Sequence, residues 1–189
     1  MRVVKKPEER RAEMVSAASK LFAQQGFVRT SVAEIVSAVD VAKGLFYYYF
    51  TTKDEMVKAV VEGYCSYLGA LAQQAADGEG SAAEKIDRLL SLEAWEKCFT
   101  EPLLADLCLP QHAALYSDMS DRLYNHLKPA LEAIIVPAIC GRGEDERHAR
   151  QMVGMGLYGM LMMARRGEIS MQDARHMVIH LAGIGARAA

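Results

Sequence analysis

The chain has 189 residues, of which 51% are hydrophobic and 24% charged, and its formal net charge at pH 7 is −2. That length is enough to bury the core of one or two compact units, and the composition excludes a disordered chain. The near-neutral total also excludes a uniformly basic nucleic-acid protein, but the charge is unevenly spread. Residues 1–60 carry ten Lys and Arg against seven Asp and Glu, whereas residues 61–189 carry twelve against seventeen, so only the N-terminal third suits a polyanion. The cysteines Cys65, Cys98, Cys108 and Cys140 form no CxxC pair and no charged-then-apolar leader opens the chain, which makes a reducing cytoplasm the expected compartment. The apolar stretch from Gln151 to Ala164 lies between two arginines and falls short of the ~20 residues a bilayer requires, so no membrane partner is expected.

In chain order, Met14, Ala17, Ala18, Leu21 and Phe22 give a first helix an apolar face, and Gly26 with Phe27 ends it. Ser31 and Glu34 form a capping box for a second helix whose inward face is Val32, Ile35, Val36 and Val39. The apolar pattern restarts at Lys43, with Phe46 and Phe50 one turn apart, leaving only Asp40 to Ala42 for the turn. This is helix-turn-helix spacing. Thr52 and Glu55 cap a long helix bearing Met56, Val60, Tyr64 and Leu68 as far as Ala76, and Asp77 to Gly80 break it. Ser81 and Glu84 open the next, and Pro102, Pro110, Pro129 and Pro137 mark starts, stops or kinks. Two final helices, Glu144 to Arg166 and one from Ser170 carrying Met177, Val178, Leu181 and Ile184, are apolar over much of their circumference. Burial against a second copy of the chain explains that better than core packing within one subunit, although both readings stand. No strand or repeat signal interrupts the pattern, which predicts an all-α fold of about nine helices.

Major-groove recognition requires a helix with donors on the side facing the bases. Phe46 and Phe50, with Val41, anchor the segment from Val41 to Phe50, while Lys43, Leu45, Tyr47 and Tyr48 lie on other faces. Tyr47, Tyr48 and Tyr49 are consecutive, about 100° apart on a helix, so they cannot all share a core-facing side. Gly44 lets the start of the helix approach a phosphate or base edge, where a bare helix would favour Ala.

Residues 30–36 (TSVAEIV), 41–50 (VAKGLFYYYF) and 52–56 (TKDEM) resemble the TetR family of repressors, over about residues 8–60. By position, the resemblance implies that Thr30, Ser31 and Lys53 touch phosphates, that Lys43, Gly44 and Leu45 lie at or near bases, and that Tyr47, Tyr48 and Tyr49 flank the groove. Arg2, Lys5 and Lys6 would form a basic arm. Asp40 stands where the family turn often has Gly, Ala42 replaces a hydroxyl residue, and Tyr49 stands where His is frequent. Asp tolerates a left-handed turn, whereas Ala42 gives up a cap and a phosphate contact. The resemblance divides the chain into a three-helix DNA-binding domain, 1–52, and a helical effector-binding and dimerisation domain, 53–189.

For the effector, Trp95, Cys98, Phe99, Cys108, His112, Tyr116, Met119 and Tyr124, with Met152, Met155, Tyr158 and Met162, supply rings and thioethers suited to an apolar or aromatic compound. His112 or Tyr116 would be its polar handle; an ordinary core is the alternative for any single Met. The run from Gly154 to Gly159 reads GxGxxG but has no strand before it, so it is expected to serve helix packing at a dimer interface rather than a dinucleotide. His176 and His180 lie one turn apart without further zinc ligands, and no metal or cofactor is expected. No nucleophile–base pair or carboxylate dyad supports an enzyme. The expected function is a dimeric transcription regulator, most simply a repressor that leaves a pseudo-palindromic operator when an effector binds; a DNA-architectural protein without an effector is the competing reading.

Overall fold

A computed structural model of the chain describes residues 6–90 and 92–181. Among these residues there are α-helices and one 3-10 turn and no strand, as the all-α expectation requires: α1 (Pro7–Gln25), α2 (Val32–Ala38), α3 (Lys43–Tyr49), α4 (Lys53–Asp77), α5 (Ala82–Leu89), α6 (Leu92–Cys98), α7 (Glu101–Cys108), the turn Pro110–His112, α8 (Ala113–Cys140), α9 (Glu146–Arg165) and α10 (Met171–Leu181). Arg2, Lys5 and Ile184 lie outside the described residues.

Local chemistry accounts for most of these boundaries. Pro7 occupies the first helical position of α1, where its missing N–H costs nothing, and Glu8 and Glu9 place negative charge at the positive end of the helix dipole. At the other end the Gly26 N–H donates to the Phe22 carbonyl, and Gly26 turns the chain at φ 78°. The expected capping box opens α2: Ser31 Oγ accepts the Glu34 N–H at 3.2 Å and a Glu34 carboxylate oxygen accepts the Ser31 N–H at 2.7 Å. Between α2 and α3, Asp40 takes the left-handed conformation at φ 51°, so the turn survives without glycine. Ser81 and Glu84 cap α5 in the same way as Ser31 and Glu34 cap α2. Pro102 falls in the first turn of α7 and Pro110 opens the 3-10 turn, whereas Pro129 and Pro137 sit inside the 28-residue α8 and end nothing. Both face solvent, where water reaches the carbonyls that lose their helical donor. Helix α9 starts at Glu146 because Asp145 is its N-cap, accepting the His148 N–H at 3.0 Å.

The chain divides into two compact units. One comprises Met1–Tyr64 and Lys97–Met119, with Met14, Ala18, Phe22, Phe27, Ile35, Phe46, Phe50 and Met56 in its core. In this unit α7 packs on α1 and takes part in the same core through Leu103 and Leu107. The other unit comprises Cys65–Glu96 and Ser120–Ala189, with a core that includes Leu68, Ile86, Leu127, Ile135, Ile139, Val153 and Val178; here α10 packs on α5 and α9.

Candidate nucleic-acid interface

Helix α3 is amphipathic in an unusual sense, since both of its faces are rich in aromatic residues. Phe46 and Phe50 are buried and stack with centroids 5.6 Å apart, forming the inner face. On the outer face Tyr47 is 51% exposed and Tyr48 75% exposed, values that exclude a role for these rings in the core. Tyr49 is half-buried and meets Tyr48 edge-on at 4.9 Å. Lys43 is exposed, with its ammonium 6.0 Å from the Tyr47 ring centre, and Leu45 is half-buried. Cation, phenol hydroxyls and ring faces therefore share one solvent-facing surface, the chemistry that groove edges and phosphates accept.

Gly44 sits at the exposed start of α3, and a methyl added there meets nothing within 4 Å. Folding alone would thus favour alanine. Gly44→Ala is expected to stabilise the fold by about 1 kcal/mol in a thermal melt. If the glycine serves close approach to DNA, the same variant loses affinity by roughly tenfold or more, the size of one lost contact; tighter binding would remove that role.

The other expected contacts divide. Ser31 is exposed at the N-cap of α2, next to Glu34, whose carboxyl is held below its usual range by hydrogen bonds from the Ser31 backbone, the Ser31 side chain and Gln25. Thr30 does not fit the phosphate role expected of its side chain. It is only 1% exposed, and its hydroxyl donates to the Gly26 carbonyl at 2.7 Å and accepts from Gln25 Nε2 at 3.2 Å. Its work is to close the α1–α2 turn. The Lys53 ammonium reaches the carbonyls of Val28 and Thr30 at 3.4 and 3.3 Å, so it holds the same turn while leaving its charge beside Ser31.

No motif or spacing points to Asp106, the residue that supports this corner from α7. Its carboxylate accepts the Val28 N–H at 2.8 Å, and its backbone carbonyl lies 2.7 Å from His112 Nδ1, whose ring sits 4.8 Å from that of Phe27. No local pattern links positions so far apart.

The expected effector residues are distributed over both units. Cys98, Phe99, His112, Tyr116 and Met119 belong to the unit that holds α3; Trp95, Met155, Tyr158 and Met162 belong to the other. Cys98, Phe99, Tyr116 and Met119 are buried, and burial pushes the Cys98 thiol up to about 11, which keeps it neutral and apolar in character. Phe99 meets Tyr64 edge-on at 5.8 Å, and the hydroxyls of Tyr64 and Ser19 share a hydrogen bond of 2.7 Å. Trp95 is half-buried and its indole N–H donates to the Leu89 carbonyl at 3.2 Å. Met162 is half-buried. Met155, 69% exposed, and Tyr158, 51% exposed, face solvent together with Met152 and with Met177 of α10, so they do not line an interior cavity as expected. Their spacing marked a shared helix face and was silent about which side it took.

Gly154 departs from the expected interface role, because a Cβ there would come within 2.9 Å of the Tyr124 hydroxyl on α8 of the same chain. The whole glycine run lies inside α9, with no strand before it. His176 and His180 are exposed on α10, and among the described residues no three potential ligands gather around a metal position. A solvent-open cleft of about 370 Å³ between α8 and α9 is lined by Pro129, Val136, Pro137 and Cys140 and by Glu132 and Glu146, which both bind Arg150. None of the expected effector residues lines it. No helix of the described residues is long and apolar enough to cross a membrane.

Residues 14–60, which contain this whole surface, match the family model for bacterial regulatory proteins of the tetR family. The HTH-type transcriptional repressor KstR2 of Mycobacterium tuberculosis is 30% identical over 97 residues, which make up 50% of this chain and 48% of that one. Over residues 14–60 the chain is therefore of TetR type. It spans about half the length of the first curated TetR-type relatives that it matches. Two solved structures share the fold: RolR in complex with resorcinol, at a TM-score of 0.64 and 17% identity over 94% of this chain and 88% of that one, and FadR from Bacillus subtilis in complex with stearoyl-CoA, at 0.56 and 19% over 92% and 96%. The matched residues include α2 and α3, and with them the exposed tyrosine face.

Proposed function

We propose that the chain is a DNA-binding transcriptional regulator, a repressor that leaves its operator when a small apolar or aromatic effector binds. The observation that carries this reading is the outer face of α3, where Lys43, Tyr47 and Tyr48 stand exposed above a buried floor of Phe46 and Phe50. Lys43, Gly44 and Leu45 would meet base edges, Tyr47, Tyr48 and Tyr49 the flanking backbone, and Ser31 a phosphate, with Lys53 supporting the corner and adding its charge. Residues 1–52 then act as the DNA-binding domain and 53–189 as the effector-binding and dimerisation domain.

The apolar face of Met152, Met155 and Tyr158 on α9 and Met177 on α10 is what a second copy of the chain would cover. In such a dimer the two α3 helices enter successive major grooves about 34 Å apart. For the effector, buried Cys98, Phe99, Tyr116 and Met119, all in the unit that holds α3, supply apolar walls, with His112 or Tyr116 as polar handle. The ligands held by RolR and FadR, resorcinol and stearoyl-CoA, are aromatic and long-chain acyl compounds, the classes such walls suit. Because a ligand shifts an equilibrium only by its differential affinity, the effector must bind best where the two α3 helices are wrongly spaced; α4 and the α7–α1 contact are the elements that would transmit that preference. The regulator reading leaves the chain without an enzymatic role.

Fluorescence anisotropy with a duplex enriched from a random-sequence pool by the wild-type chain tests the reading. Lys43→Ala is expected to lower preference for that duplex by about 1–3 kcal/mol while leaving binding to unrelated DNA nearly intact. Equal binding by variant and wild type would remove α3 as the reading helix. Release of the duplex by an aromatic effector separates a regulator from an architectural protein, which would stay bound.

A further inference from the structure

We propose that Arg11 and Arg29, which lie outside the family's motif residues quoted above, are phosphate contacts at the two corners of the helix-turn-helix, one where α3 ends and one where α2 begins; this rests on the DNA-binding reading. Both side chains belong to exposed residues, and both are anchored by partners that leave their charge intact. The Arg11 guanidinium carbon lies 4.8 Å from the centre of the Phe50 ring, the residue that ends α3. Arg29 Nε donates to the Gln25 carbonyl at 3.1 Å, which fixes the side chain one residue before Thr30 and two before the Ser31 cap. Among the described residues neither arginine forms an ion pair with a carboxylate. Arg10 provides the contrast: adjacent to Arg11 on α1, it pairs with Glu13 at 2.9 Å, a carboxylate that opposes its charge.

A guanidinium held by a ring face or a carbonyl loses side-chain freedom without losing charge, and most of its five donors stay open in the planar fork that fits a phosphate. The Lys53 ammonium bonds the carbonyls of Val28 and Thr30, on either side of Arg29, so two cations occupy that corner. The acid at the same corner, Glu34, spends its carboxylate on the Ser31 N–H and on Gln25 Nε2. At both corners, then, a guanidinium is held in place without an ion pair to a carboxylate among the described residues; Glu55, near the end of α3, bonds the Thr51 N–H.

The test measures binding of the full chain by anisotropy across a series of salt concentrations, with the enriched duplex and with an unrelated one. Arg11→Ala and Arg29→Ala should each flatten the slope of log affinity against log salt by about one unit and weaken both duplexes by the same factor. Arg11→Lys and Arg29→Lys should restore the slope, and Arg10→Ala should leave it unchanged. Arg11→Gln and Arg29→Gln, which remove charge but keep length, carry the same expectation should an alanine variant fail to fold. Slopes unchanged in the Arg11 and Arg29 variants, or a loss confined to the enriched duplex, overturn the assignment. A wild-type chain that binds neither duplex overturns the DNA-binding reading instead, so the two failures are distinguishable.

Discussion

Phe46→Ala is expected to cost about 3–5 kcal/mol, a large share of the roughly 5–15 kcal/mol that holds a domain of ordinary stability together, and to abolish DNA binding. Helix α3 has only seven residues, too few to persist in water on backbone hydrogen bonds alone, so its order depends on the side chains it buries. Phe46 is the one that is fully buried, with Tyr47 at 5.4 Å on one side and Phe50 at 5.6 Å on the other. Truncation leaves a cavity that two rings fixed by their own backbones cannot close. Tyr48→Ala, on the opposite side of the helix and 75% exposed, is expected to leave stability within about 0.5 kcal/mol and still weaken binding. Circular dichroism melts beside DNA titrations separate the two effects. A pair of variants that melt alike would remove the distinction between an inner and an outer face of α3.

The parts of this architecture that were legible in the sequence are those whose causes act within a few residues. The Ser31–Glu34 box, the stop at Gly26, the left-handed turn at Asp40 and the division of labour between Phe46 and Tyr48 all follow from hydrogen-bond reach and helical spacing, and the structure places each as expected. Thr30 and Lys53 show the limit of that reasoning. Both have the chemistry of phosphate ligands, and both also bond backbone carbonyls of the α1–α2 turn, the buried Thr30 hydroxyl entirely within the chain and the Lys53 ammonium with its charge left in place, which a one-dimensional pattern does not display. Arg10 and Arg11 are adjacent and chemically identical, yet one is paired with Glu13 and the other stacks on a ring from α3. Met155 and Tyr158 lie on a helix face whose spacing is the same for a cavity wall and for an outer surface; exposure decides between them. The docking of α7 on α1 was invisible for a simpler reason. Asp106 and Val28 are 78 residues apart, and no periodicity reports a contact of that range.

That contact underlies the second large effect. Gly26→Ala is expected to destabilise the unit that holds α3 by several times more than Asp106→Ala. At φ 78° and ψ 163° Gly26 occupies a region nearly closed to residues with a side chain, a strain of about 1–3 kcal/mol before any neighbour is considered. Its added Cβ would also lie 3.0 Å from the Pro102 carbonyl and overlap the Asp106 carboxylate, so α7 must shift away from α1. Asp106→Ala removes only the hydrogen bond to the Val28 N–H, at an exposed residue where water substitutes, for about 1 kcal/mol or less. The double variant relieves the overlap with the carboxylate but retains both the backbone strain and the close Pro102 carbonyl, so a mutant cycle should recover part of the loss and not all of it. Because the strained turn leads within five residues to the Ser31 cap, DNA affinity should fall along with stability in Gly26→Ala. Full recovery in the double variant would show that steric overlap with Asp106 is the whole effect. A Gly26→Ala chain that melts and binds like wild type would show that α7 does not hold the α1–α2 turn.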